Sequence, residues 1–212
     1  MSPVSIATEL RTQLMAGKVR PGAELSQVEL AERFGVSRIP IRDALRILAG
    51  EGLIEFEPNR GARAISLSTS EIREIYDIRL LLECDALRRS AERMTADDLD
   101  EIDRVRHHAE IDAVTARWSE GDWAFHRALY EYAGRPRQLA MIEGLRRTCQ
   151  LFVGAYASMP LKTPQWLDDH SGIVKHLRDG DREGAIAVLS SHLRAAADHL
   201  VDRMAEHNAQ QL

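Results

Sequence analysis

The tightest constraint on this chain is a single glycine break between two helical patterns near its start. Ser26-Gln27-Val28-Glu29 has the form of a capping box, in which a serine hydroxyl and a glutamate carboxylate satisfy amides left open at a helix start. Leu30, Ala31 and Phe34 follow at helical spacing. Gly35 then ends the segment, Val36 plugs the corner, and Ser37 caps a second helix whose apolar face is Ile41, Ala44, Leu45 and Leu48. Pro40 falls in the first turn of that helix, where its missing N–H removes no intrahelical bond. Two short helices joined by so tight a corner read as a helix-turn-helix.

The period then changes. Leu53-Ile54-Glu55-Phe56 alternates, Glu57-Pro58-Asn59-Arg60-Gly61 reads as a turn, and Ala62-Arg63-Ala64-Ile65 returns, which predicts a β-hairpin. Upstream, Ile6, Leu10 and Leu14 mark a helix that stops at Gly17, before the turn at Pro21-Gly22. Residues 1–66 are therefore predicted to form a winged helix-turn-helix. Beyond them, Ser68-Thr69-Ser70-Glu71 is a second capping box, followed by Ile72, Ile75, Ile78, Leu82 and Leu87 at helical period. Further helix starts are expected at Thr95, near Asp122, at Arg135-Pro136, at Thr163-Pro164 and at Asp181. Residues 67–212 thus read as an all-α antiparallel bundle of six to seven helices, and the fold class as mainly α. Composition agrees: with 5% aromatics, 13 Gly and 7 Pro, a turn-rich sandwich or barrel is disfavoured, and 44% hydrophobic content supplies a core.

Net charge is −5, which speaks against a chain that coats nucleic acid over its whole surface. The charge is uneven: residues 1–64 hold nine Arg/Lys against eight Asp/Glu, and residues 65–212 hold nineteen against twenty-five. No apolar run approaches a membrane span, and the N-terminus lacks the layout of a signal peptide, so a soluble, cytoplasmic protein is expected. Cys84 and Cys149 lack the close pairing of a thiolate metal motif and read as small buried hydrophobes.

Arg38, Arg42 and Arg46 recur every four residues on the second helix of the pair, each turned only about 40° from the last, and form a cationic stripe opposite the apolar face. Alone, such a stripe reads as a solvated surface pairing with Asp43 or Glu51. Here it sits after a capping box and a glycine turn and before a hairpin whose tip carries Arg60. That order favours a helix whose guanidinium forks reach base edges or phosphates in a major groove.

All eight histidines lie beyond residue 106. Asp122 and His126 are one helical turn apart and project from one face, as two ligands of one ion must. His170 and His192 lie on later predicted helices, and by spacing alone they fit ordinary surface or core histidines as well as ligands. One carboxylate and three imidazoles would suit Zn²⁺, Ni²⁺, Mn²⁺ or Fe²⁺ better than Ca²⁺ or Mg²⁺. His107, His108, His176, His199 and His207 are read as surface residues, and Trp118, Trp123 and Trp166 as core or interface.

The run from Glu29 to Arg46, with Glu51-Gly52-Leu53-Ile54 and Asn59-Arg60-Gly61, resembles the winged-helix domain of GntR-family bacterial transcription regulators. The resemblance implies that Arg38 and Arg42 contact operator bases and that Gly61 belongs to a wing entering the minor groove. The expected DNA-binding set is Ser37, Arg38, Arg42, Arg46, Arg60 and Gly61. Val28 departs from the pattern, standing where many relatives have a basic residue. The rest of the chain resembles the FCD type of C-terminal domain, through Arg79-Leu80-Leu81-Leu82-Glu83, Asp122-Trp123-Ala124-Phe125-His126, Asp169-His170-Ser171-Gly172-Ile173 and His192-Leu193. This resemblance implies that Asp122, His126, His170 and His192 hold a divalent transition metal, Zn²⁺ foremost, and that a small carboxylate effector completes its coordination. Arg79 matches a pocket arginine of the family and is expected either to bind the effector or to pair with Glu83. A homodimer on a palindromic double-stranded operator, acting as a repressor, is the implied assembly, since two recognition helices read enough base pairs for specificity where one does not. Two other readings stand beside it: a regulator that senses the ion itself, and a metal-dependent hydrolase. No motif marks a free acid or base beside the ligands, and a hydrolase leaves the winged helix without a role, so no enzymatic activity is expected.

Overall fold

A computed structural model of the chain describes residues 1–57, 61–115, 117–156 and 163–209. Two compact units emerge. One takes Met1–Ile72 with residues 146–156 and 200–209; the other takes Arg73–Leu145 with residues 163–199.

The first unit begins with α1 (Pro3–Met15), capped by the Ser2 hydroxyl, which accepts from Ser5 N–H; its buried stripe is Ile6, Ala7, Leu10 and Leu14. Helix α2 (Gln27–Phe34) starts at Ser26, whose Oγ accepts from Glu29 N–H at 3.4 Å. It ends at Gly35, held at φ 63°, a left-handed conformation that glycine enters without a Cβ clash. Helix α3 (Arg38–Gly50) buries Ile41, Ala44, Leu45 and Leu48. Ser37 occupies the N-cap position of α3, but its side chain makes no capping bond. Pro40 stands at the third helical position, so one of the two N–H groups that such a hydroxyl can receive does not exist.

The hairpin forms as β2 (Ile54–Glu57) and β3 (Gly61–Ala64), antiparallel, with Glu57 opposite Gly61. A strand not foreseen in the sequence, β1 (Glu24–Leu25), pairs with the other edge of β3, giving the order β1-β3-β2. The Arg63 guanidinium donates to Gly22 O at 2.8 Å and ties the hairpin to the segment before α2.

From residue 69 onward the described structure is helical apart from short connections: α4 (Thr69–Ala91), α5 (Ala96–Asp112), α6 (Trp118–Tyr130) with a 3-10 turn at Glu131–Ala133, α7 (Pro136–Tyr156), α8 (Thr163–Arg178) and α9 (Arg182–Ala209). Ser68 Oγ accepts from Glu71 N–H at the start of α4, and Thr95 and Asp98 form a full capping box at α5. Helix α6 begins one turn before Asp122; its cap position, Arg117, makes no side-chain bond and leaves no marker in the sequence. The core of this unit includes Leu87, Ile102, Phe125, Leu129, Ile142, Ile173 and Leu189. Gly121 of α6 lies against α5, where a Cβ would stand 2.9 Å from Asp112 Cβ and 3.1 Å from Ala109 Cα. Arg106 of α5 pairs with Asp103 and Glu110 and reaches Ser171 Oγ of α8 at 3.1 Å, fixing the turn that carries His170. Among the described residues no helix is long and apolar enough to cross a membrane.

Candidate nucleic-acid interface and metal centre

On α3 the arginine stripe is exposed, as its spacing requires: Arg38, Arg42 and Arg46 all face solvent while the opposite face is buried. Asp43 is within ion-pair range of two of them, at 3.9 Å from Arg42 and 3.6 Å from Arg46. Both contacts are long and wet, so they hold the guanidinium groups weakly. Glu51, the other expected partner, is engaged elsewhere: Arg11 Nε donates to it at 2.7 Å. Ser37 is exposed at the head of α3, and Gly61 is exposed at the start of β3. Arg60 lies outside the described residues. Val28 and Ile39 are exposed apolar residues flanking the same surface.

In the second unit three helices bring four side chains together. Asp122 and His126 come from α6, His170 from α8 and His192 from α9, and one ligand atom from each lies within 4.8 Å of all the others. Asp122 Oδ1 is 3.7 Å from His126 Nε2 and 3.6 Å from His170 Nε2. The three imidazoles are buried and their centroids stand 5.0 to 5.4 Å apart, while Asp122 is half-buried. Separations of 3.6 and 3.7 Å are within a few tenths of the edge of about 3.4 Å that follows from bonds of roughly 2.1 Å around a tetrahedral ion. The donor set, one hard oxygen with three imidazole nitrogens, fits a divalent transition ion. Phe125 packs on His170 with ring centroids 4.4 Å apart and closes the inner side.

Outer partners orient two of the rings. His192 Nδ1 is 3.1 Å from Asp169 Oδ2, and His126 Nδ1 is 3.0 Å from the Tyr130 hydroxyl. Neither Asp169 nor Tyr130 stands out in the sequence as a functional residue; Asp169 precedes a predicted ligand, and Tyr130 continues the Asp122–His126 face by one more turn, which is the signal that could have found it. Arg79 is buried, its Nε donating to Glu83 Oε1 at 2.7 Å and its guanidinium carbon 4.5 Å above the Tyr76 ring. Cys84, beside Glu83, has its thiol pushed up by burial and then by that carboxylate.

A cleft reaches this cluster at Asp122 and His170. Its walls include Trp118 and Trp166, which in sequence look like core or interface residues, together with Ala109 and Ala113. Trp123 packs against the core as expected. The remaining histidines divide: His107 is exposed, His176 pairs with Asp181 at 2.8 Å, and the His199 ring is 5.9 Å from that of Trp166.

The chain matches two protein families. The family described as bacterial regulatory proteins, gntR family, covers residues 4–63, and the FCD domain covers residues 74–195. A gluconate operon transcriptional repressor of Bacillus licheniformis is 31% identical over 191 residues, spanning 85% of this chain and 77% of that protein. The HTH-type transcriptional repressor RspR of Escherichia coli K12 is 29% identical, over 89% of this chain and 84% of its own length. Among solved structures, E. coli McbR/YncC superposes with a TM-score of 0.76 at 22% identity, covering 95% of this chain and 98% of that one, a likeness of fold. The Bacillus and RspR relatives are named as repressors of transcription, and the chain belongs to the GntR family, carrying an FCD domain behind its DNA-binding domain.

Proposed function

We propose that this regulator binds a palindromic operator as a homodimer and that a small organic acid, held at a divalent metal ion in the helical unit, controls that binding. Residues 1–66 serve as the reading head and residues 67–212 as the sensing and dimerising part, in a cytoplasmic repressor. Arg38, Arg42 and Arg46 enter the major groove, Ser37 meets a phosphate with the hydroxyl that makes no capping bond, and Arg60 and Gly61 form the wing tip. Asp122, His126, His170 and His192 hold the ion, Zn²⁺ foremost, with Ni²⁺, Mn²⁺ and Fe²⁺ as the other ions this set accepts. The ion would supply a Lewis acid whose coordination an effector carboxylate could complete.

The observation that carries this reading is the convergence of four donors from three helices within 4.8 Å, beside a cleft that reaches Asp122 and His170. Binding there shifts the population of helical packings, and the change in operator affinity equals the difference in effector affinity between them. Protein purified without chelator or polyhistidine tag is expected to carry about one metal ion per chain. Operator binding, titrated first with Zn²⁺ alone and then with Zn²⁺ plus α-hydroxy and dicarboxylic acids, is expected to respond only to the combination. Release by the ion alone replaces acid sensing with metal sensing.

A further inference from the structure

We infer that Tyr130, anchored by the buried Arg79–Glu83 pair, is the positioning residue of His126, keeping its imidazole in the Nδ1–H form with Nε2 turned to the centre. The inference rests on the metal reading above for its functional consequence, while the proton placement stands on the hydrogen bonds themselves. Glu83 is fully buried and uses both carboxylate oxygens: Oε1 receives Arg79 Nε–H and Oε2 receives the Tyr130 hydroxyl, each at 2.7 Å. Tyrosine has one O–H proton. The carboxylate is the stronger acceptor and the shorter contact, so that proton goes to Glu83. Toward His126 Nδ1, 3.0 Å away, the phenol oxygen can then only accept, and Nδ1 must carry the hydrogen. A neutral imidazole protonated at Nδ1 has its lone pair on Nε2, the nitrogen 3.7 Å from Asp122 Oδ1.

The phenol is needed because the carboxylate does not reach. Glu83 Oε2 is 3.9 Å from His126 Nδ1, beyond a hydrogen bond, and the tyrosine oxygen bridges the gap. His192 is held by a carboxylate directly, at Asp169, so two of the three rings share one logic with different reach. Arg79 acts in this account through Glu83 and not on the effector: it keeps the Glu83 carboxylate compensated inside the unit.

The test pairs Tyr130→Phe with two measurements. Long-range ¹H–¹⁵N spectra of the metal-free protein are expected to show His126 as the Nδ1–H tautomer in the wild type and as a mixture in the variant. Competition against a chromogenic chelator is expected to show Zn²⁺ binding 10- to 100-fold weaker in Tyr130→Phe, the usual effect of losing an outer partner of a ligand histidine. An Nε2–H tautomer in the wild type overturns the proposal, as does equal Zn²⁺ affinity of the two proteins. A wild type that takes up no Zn²⁺ ends the metal reading, and the tautomer of its His126 still decides the role given to Tyr130.

Discussion

The arginine stripe of α3 and the histidine cluster of α6, α8 and α9 place polar chemistry in opposite surroundings. On α3 the guanidinium groups stay in water, with long contacts of 3.6 and 3.9 Å to one aspartate, and they add little to folding. In the helical unit three imidazoles are removed from water, and for His126 and His192 the burial is offset by bonds to Tyr130 and Asp169 that fix their orientation. The first arrangement can exchange side chains at almost no structural cost; the second must be assembled as a set. A surface proposed to read DNA and a cluster proposed to hold one ion need these contrasting arrangements.

Salt separates the two regions most widely. If six to ten phosphates are contacted, operator affinity is expected to fall about 10³- to 10⁵-fold between 50 and 200 mM salt, because neutralising phosphates releases counterions. Metal content should stay unchanged across the same range, the ligands being buried beyond effective screening. A gel-shift series run beside metal analysis checks both halves, and parallel losses would erase the contrast. Next in size, His170→Ala is expected to abolish stoichiometric metal uptake and to lower stability by about 1–3 kcal/mol, read from chemical denaturation. Arg42→Ala sharpens the comparison from the other side: operator affinity drops by about 1–3 kcal/mol, while stability stays within about 0.5 kcal/mol of wild type. An Arg42→Ala protein that melts early would mean that α3 needs its stripe to fold. The smallest effect expected is at Cys84, whose raised pKa should slow its alkylation at neutral pH relative to the same thiol in denaturant.

Much of the fold was legible because local signals coincide with it. Gly35 marks a left-handed turn, the change of period at Leu53 marks the hairpin, and the capping residues Ser68 and Thr95 stand where α4 and α5 begin. Strand β1 was not legible, since two residues cannot display alternation and their pairing with Arg63 and Ala62 is set by the hairpin. The site divided along the same line. Asp122 and His126 announce themselves at one-turn spacing, whereas Glu83 and Tyr130, 47 positions apart, meet only through the packing of α4 on α6. Trp118 and Trp166 look in sequence like any large apolar residues, and only the arrangement of α6 and α8 shows that they wall the cleft.

Gly121 directly precedes Asp122 and stands where a Cβ would crowd Asp112 and Ala109 of α5. Ala109, which it abuts, also walls the cleft. The distance from the carboxylate to the opposite wall is therefore set by a side chain that is missing. A single methyl group at residue 121 would press the two helices apart, so the width of the cleft can change in evolution without altering any group that lines it.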